Sequence, residues 1–583
     1  MSDRKTTHKR RIDYLQGVLF IAGSFLFIQV NYRYWYHFME QYVLFRTTPF
    51  YFFGLLSQPG GFNAYLSEFL MQSFYFPLGA ASVIALLFGG VAFLYYLFLR
   101  RIQREVSLFG ALLPVFLFWL FPVETLAPLL ALVFAFSSVL LYTSIPKKNL
   151  RYLVGILLIG VNYFLAAPAH LELAILIGIF EWVKGEKGKV WIALVAIGWS
   201  VLLPVLAMHT VYVIPLREAY LSKHLYHPEY PIPYAFWLIG LAFPVGAILL
   251  YGLRKKAGGG GKVKAVVSTG LLFVCMAIGI GWGKHPMEQA YRYDYYARQG
   301  QWQAIVTEAQ RTGVHDKDAL VYTHLALSRT GQFNEQFLQL PQIGEAGFIP
   351  QDPKSRLGLI EAAEVAWQLN HINSAQRFAF VGVLSSQRCI QPRLMMRLVE
   401  TYLVNEEYKA AEKYITILES APLYRSWARS QRRFLDPATA AETPWIAERR
   451  ALRSVTDNNF DLTVNFSNAL AFQLDDHPDN RAAFEYAMGY LLVRKDIPTF
   501  MHYMELLRDN GKAFPVVYQE AICLFFSTMK SDPEAFRSFP IDKEVYSRFI
   551  SFVQSAQKVS PAILKQQYGD TYYYYAQFAP TLK

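Results

Sequence analysis

The sequence contains only three cysteines in 583 residues, which excludes a disulfide framework. Cys275 stands in an apolar run, and only the fold could bring Cys389 and Cys523 together. A small-residue cleavage site is also missing near the start. RKTTHKRR followed by YLQGVLFIAGSFLFIQV has the charge order of a signal peptide, but the apolar run continues into tyrosine and tryptophan. It therefore reads as an uncleaved first membrane helix. AGGGGKVK at 257–264 has Val263 where a phosphate-binding loop needs serine or threonine, and no strand precedes it, so it reads as a flexible linker. The apolar runs hold few central charges and no evident inverted repeat, which argues against a lipid or polymer transporter. The formal charge of +12 is no nucleic-acid footprint, because much of the excess lies in short loops between apolar runs.

What is abundant is apolar surface. Hydrophobic residues make up 54% of the chain and aromatics 16%, concentrated in the first half. Runs of roughly 17–25 apolar residues are long enough to cross a bilayer. About nine such helices are expected, near 14–33, 78–99, 107–122, 125–145, 152–168, 170–184, 190–214, 233–253 and 265–283. Alternate loops are basic: Arg4 to Arg11, Arg100 to Arg104, Lys147 to Arg151, Lys184 to Lys189, and Arg254 to Lys264. Basic loops stay in the cytoplasm. The expectation is an integral inner-membrane protein with its N-terminus inside and residues 284–583 outside, in the periplasm.

The second half reads as amphipathic helices in pairs, so the expected fold class is all-α: a polytopic membrane domain over 1–283, then an extracytoplasmic α-solenoid over 284–583. Turns are expected near Gly300, Gly331, Asn370 and Asn405, with the small residues Ala326, Ala363 and Ala410 where paired helices approach. The spacing is close to the 34-residue period of tetratricopeptide arrays, which this half resembles, and such arrays bind peptide or protein on a concave face. The stretch 421–460 departs from the period. A helical layer packed on the membrane domain is the competing reading of the same pattern.

The first external loop, 34–77, is large and apolar. FNAYLSEFLMQSFYF places Phe62, Tyr65, Leu66, Phe69 and Leu70 on one helical face and Asn63, Glu68 and Gln72 on the other, as in a helix lying in the membrane interface. Ionisable residues recur on the outer side: Glu40 and Glu68 in this loop, Glu124 in the next outer turn, His170 and Glu172 in the one after, then Arg217, Glu218, Lys223, His224, His227 and Glu229. Carboxylates at the hydrocarbon edge are destabilising unless hydrated, paired or metal-bound. Each alone is explained by hydration; the set is notable because every outer turn from the first to the fourth carries one. In HLYHPE, Pro228 breaks the helix that metal binding through His224, His227 and Glu229 would need.

This layout resembles the GT-C superfamily of membrane glycosyltransferases over about residues 14–283. MEQYVLFRTTPFY matches the acidic position at the start of the first external loop, with Glu40 where Asp is more usual. FPVETLAP matches the second acidic motif, with a single Glu124 where some members have a pair. The resemblance implies transfer of a sugar from a polyprenyl-phosphate donor. Glu40 and Glu124 would be the catalytic residues and the ligands of a divalent metal, Mg or Mn, though the departures leave metal dependence open. Glu68, His170, Glu172, Arg217 and Lys223 would bind substrate. The expected partners are membrane lipids, the lipid-linked sugar and envelope proteins at the repeats, with no nucleic acid. The alternative is a non-enzymatic, membrane-anchored repeat scaffold for envelope assembly.

The loop charges yield a direct expectation. A reporter active only in the cytoplasm, fused after Lys583, stays silent; strong signal there overturns the topology.

Overall fold

The computed structural model describes residues 2–103, 106–184, 190–221, 234–253, 261–350, 354–386, 391–454, 466–508, 513–529, 533–556 and 558–579, and every regular element among them is helical. The chain forms two compact units. One is Met1–Glu288 together with Ser386–Ile390 and Glu419–Ser426; the other is Gln289–Ser385, Gln391–Leu418 and Trp427–Lys583. Two short stretches of the second half thus belong to the first unit, which a cut at residue 283 does not show.

The first unit contains α1 (Ser2–Asn31), α2 (Arg33–Met39), α3 (Pro49–Leu56), α4 (Gly61–Met71), α5 (Gly79–Ile102), α6 (Leu108–Leu120) and α7 (Ala127–Ser144). They are followed by α8 (Lys148–Ala166), α9 (Ala169–Lys184), α10 (Val190–Thr210), α11 (Leu216–Leu221), α12 (Tyr234–Leu253) and α13 (Gly261–Trp282). Among the described residues, five stretches are long and apolar enough to cross a membrane: Arg11–Asn31, Gly79–Ile102, Ala127–Ser144, Lys148–Ala166 and Trp191–Thr210. The other four expected spans are helices too: α6, α9, α12 and α13. α6 has 13 residues, about 20 Å at the helical rise against a hydrocarbon core of about 30 Å. It stops because Phe121, preceding Pro122, is pushed out of helical geometry, with φ −129° and ψ 82°. α9 carries Glu172, Glu181 and Lys184. Glu181 is buried, pairing with Arg151 at 2.7 Å and accepting from the Tyr142 hydroxyl at 2.9 Å.

The first and last helices of this group lie side by side. The Gln16 amide donates to Ser268 Oγ and Thr269 Oγ1, each at 3.0 Å, and the Asn31 amide donates to the Ile280 carbonyl at 3.1 Å. Partners advance together along both helices, so α1 and α13 run parallel. A small residue allows the close approach: a Cβ at Gly23 of α1 would clash with the Met276 sulfur of α13.

The second unit contains α14 (Glu288–Arg298, entered from the first unit), α15 (Trp302–Thr312), α16 (Lys317–Thr330), α17 (Phe333–Gln336), α18 (Arg356–Gln368), α19 (Ile372–Ser385), α20 (Pro392–Val404) and α21 (Tyr408–Glu419). Consecutive helices turn at Gly300, Gly331, Asn370 and Asn405–Glu406. The left-handed residue of the last turn is Glu406, at φ 64°, rather than Asn405, which ends its helix at φ −80°. Gly331, at φ 69°, closes α16 by donating to the Leu327 and Ser328 carbonyls, a geometry that favours glycine. Ala326 and Ala363 are buried. On α21 the buried alanine is Ala411, with Tyr414, Ile415 and Leu418 at helical spacing, so Ala410 lies one step around from the contact.

Over 421–454 the helices are short: α22 (Arg425–Gln431), α23 (Pro437–Glu442) and α24 (Pro444–Ala451), the last two opened by a proline in the first turn. α24 carries arginines to the C-terminal ends of other helices. Arg449 donates to the Trp367 carbonyl at the end of α18, and Arg450 donates to Val404 and Leu403 at the end of α20, at 3.1 and 2.8 Å. A cation there meets unsatisfied carbonyls and the negative end of the helix dipole. The Trp367 ring lies between the Arg397 and Arg449 guanidiniums, 4.3 and 4.2 Å from its centre. The rest is α25 (Phe466–Asp476), α26 (Arg481–Arg494), α27 (Ile497–Leu507), α28 (Val516–Met529), α29 (Pro533–Arg537), α30 (Lys543–Ala556), α31 (Pro561–Tyr568) and α32 (Tyr572–Phe578).

All thirteen residues of α18 are buried, polar ones included. Glu364 is held by Arg393 and Arg397, and Arg393 also pairs with Asp294. Glu361 is 0% exposed, and neither of its oxygens has a hydrogen-bond partner among the described residues. Burial, reinforced by Asp318 and Asp294, pushes its carboxyl well above the usual value of 4.5. The unfolded chain therefore ionises Glu361 first. Its contribution is full below the unfolded value and is lost as pH rises toward the folded one, by up to about 1.4 kcal/mol per unit. Glu361→Gln removes this slope. The expected result is a thermal midpoint that falls less between pH 5 and pH 8 in the variant than in the wild type, with the variant more stable at pH 8. Parallel curves would mean that Glu361 is ionised in the fold.

Candidate functional site

The loop between the first two spans is built from α2, a 3-10 turn at Glu40–Tyr42, α3 and α4. Glu288 fixes its beginning: its carboxylate accepts from the backbone amides of Tyr34 at 2.8 Å and Trp35 at 3.1 Å, the first turn of α2. His285 stacks on Trp35 at 5.2 Å, and burial pulls its imidazole down to about 4, so the ring is neutral.

Glu40 directly follows α2 and is 2% exposed. Oε1 accepts from the Tyr424 hydroxyl at 2.5 Å, and Oε2 from the Gln41 amide at 2.6 Å. Tyr424 lies in the stretch Glu419–Ser426 that belongs to this unit. Around it, the Thr47 amide donates to the Ser420 carbonyl at 3.3 Å, Arg425 donates to Thr47 Oγ1 at 3.3 Å, and the Tyr75 ring stands edge-on to Tyr424 at 6.4 Å. The expected water-facing base is thus a buried acceptor held by two protein donors.

The other expected residues occupy different niches. Glu68, on α4, accepts from the Tyr51 hydroxyl of α3. Glu124 lies partly exposed in the turn before α7. α4 rests on the ends of two spans: the Gly60 amide donates to the Phe164 carbonyl at 3.1 Å, and the Asn63 amide to the Ala127 carbonyl at 2.9 Å. The elements bearing Glu68, Glu124 and the His170 turn therefore meet at one end of the bundle. His170 is 0% exposed, edge-on to Tyr163 at 5.0 Å. Neither of its ring nitrogens, nor the Tyr163 hydroxyl, has a hydrogen-bond partner among the described residues. Glu172, two residues on, faces a different side: its Oε2 lies 4.0 Å from where a Cβ on Gly240 of α12 would stand, and its Oε1 is buried without a hydrogen-bond partner among the described residues. Arg217 is exposed on α11. Lys223, like His224, His227 and Glu229, lies outside the described residues.

The arrangement does not suit a divalent ion at Glu40. Its oxygens already accept from an O–H and an N–H donor, and among the described residues no group of three or more His, Cys, Asp or Glu is placed to hold a metal. The structure adds Tyr424, Tyr51, Tyr163 and Glu288 to the functional set. Only Tyr424 left a trace in the sequence, since it sits in the stretch that breaks the repeat period.

The model of DUF6057, a family of unknown function, matches the chain over residues 7–579. No curated protein and no solved structure matches it.

The Tyr424–Glu40 bond is directly testable. Tyr424→Phe leaves a buried carboxylate short of a donor, and such bonds to charged groups contribute about 1.5–3 kcal/mol. Thermal unfolding in detergent should show that loss for Tyr424→Phe, and a smaller loss when the same change is made in a Glu40→Gln background. Additive effects would show that the two side chains act independently.

Proposed function

The chain belongs to the DUF6057 family, and we propose that it is a membrane-anchored helical-repeat scaffold, with its second unit outside the cytoplasm and open to envelope proteins. The observation that carries this reading is the state of Glu40. A general base needs a free lone pair within reach of a substrate hydroxyl. Glu40 is 2% exposed and so withdrawn from any substrate hydroxyl; Tyr424 and Gln41 donate to its two oxygens, and its work is to join two parts of the first unit. The parallel course of α1 and α13 supports the topology: if both cross the membrane they cross it in the same sense, which leaves the N-terminus and the chain after α13 on opposite sides. Helix pairs with left-handed turns at Gly331, Asn370 and Glu406 support a degenerate tetratricopeptide-like array.

One observation favours the second reading, a GT-C-like glycosyl transfer from a polyprenyl-phosphate sugar. Buried polar atoms without partners are destabilising, so each calls for an explanation, and substrate binding is one. His170 and the Tyr163 hydroxyl are such atoms among the described residues, on neighbouring rings where α8 meets α9, and Glu172 Oε1 is another, on the side of α9 turned toward α12. In this reading Glu172 replaces Glu40 as base, and Arg217 faces the donor phosphate.

Two measurements in cells separate the readings. A photoreactive benzoylphenylalanine at Tyr546, exposed on α30, or at Leu384, exposed on α19, should give discrete adducts with an envelope protein if the chain is a scaffold. Adducts with lipid alone at both positions would remove that reading. Incorporation of radiolabelled sugar into envelope glycan should be equal in wild type, Glu40→Gln, Glu172→Gln and the surface control Glu412→Gln. A fall of about 10²–10⁴-fold in Glu172→Gln alone would establish transfer chemistry instead.

A further inference from the structure

We propose that α3 is a lipid-inserted wedge, and that Arg46, at its base, binds the phosphate of a membrane lipid headgroup. The proposal rests on the membrane reading of the flanking spans. α3 is short and almost wholly apolar, PFYFFGLL, opened by Thr48, whose hydroxyl accepts from the Tyr51 amide at 3.3 Å. Tyr51 and Leu55 pack inward. Phe50 and Phe53, three residues apart and so on one face, are 88% and 65% exposed. A phenylalanine pair so exposed is poorly matched to water and well matched to the acyl boundary of a bilayer.

Two further features identify the occupant as lipid. The first is continuity. Phe69 on α4, then Phe76 and Leu78, are exposed apolar residues leading to α5, and Leu86 and Phe93 extend the exposed face along that span. The surface that starts at Phe50 is therefore of one kind with the face that a spanning helix turns to hydrocarbon. α4 repeats the inversion, with Asn63 and Ser67 buried against protein and Phe69 outside. The second is charge. Arg46 lies over the Tyr51 ring, its guanidinium carbon 5.4 Å from the centre. Its Nε is buried without a hydrogen-bond partner, and no ion pair joins it to a carboxylate among the described residues. An arginine seated at the edge of an apolar wedge, with donors to spare, fits a phosphodiester at headgroup depth.

The test uses the full chain in lipid nanodiscs, with Cys275, Cys389 and Cys523 replaced by alanine and a nitroxide attached at single cysteines. Accessibility to oxygen should exceed accessibility to a water-soluble nickel complex at Phe50→Cys, Phe53→Cys and Leu86→Cys, and the order should reverse at Gln58→Cys. Reversal at 50 and 53 with Leu86 still in lipid overturns the wedge. Reversal at Leu86 as well overturns the membrane reading beneath it. For the headgroup, dioleoyl-phosphatidylglycerol titrated into detergent-solubilised protein should raise the thermal midpoint, with apparent affinity about tenfold weaker in Arg46→Gln. Inorganic phosphate at the same concentration should do nothing. An equal lipid response in the variant, or an equal response to inorganic phosphate, removes Arg46 from lipid binding.

Discussion

The first unit is organised around the hydrogen bond from Tyr424 to Glu40. A carboxylate this deeply buried is tolerated only if its oxygens meet donors. Here one donor comes from the neighbouring Gln41 and the other from 384 residues along the chain. Satisfying the charge brings Glu419–Ser426 into the unit, and the contacts of Thr47 with Ser420 and Arg425 depend on that placement. α2 is thus held at both ends by carboxylates: Glu288 accepts its first amides, and Glu40 anchors the 3-10 turn beyond its last residue.

The helix α4 carries its polarity inside out. On α4 the amide of Asn63 turns toward α7 while Phe69 turns away. For a soluble helix this would be the wrong way round. For one at a bilayer it is what burial of hydrogen-bonding groups requires, because lipid offers no partners and protein does. The same rule accounts for the Gln16 and Asn31 amides, which find acceptors on α13 rather than facing lipid.

Much of the local architecture was legible in the sequence. Left-handed turns at Gly331 and Asn370 arise from residue types that tolerate them, and the apolar runs became helices. The errors were of one step: Glu406 for Asn405, Ala411 for Ala410, and an α6 cut short by Pro122. The candidate site was less legible. Its acidic residues stand out locally, but a hydroxyl 384 positions away leaves no local signature, so the donor that holds Glu40 cannot be read from the residues around it. The arginine caps of α24 were hidden for the same reason: they act on the ends of α18 and α20, and no spacing near residue 449 points there.

The pairing of α1 with α13 has a consequence for synthesis. Gln16 emerges early, while its acceptors Ser268 and Thr269 lie 252 and 253 residues further along the chain. At about 5–20 residues per second, the interval runs from roughly ten seconds to nearly a minute. If α1 enters a membrane as it emerges, its Gln16 amide stays there without its native acceptors until α13 follows.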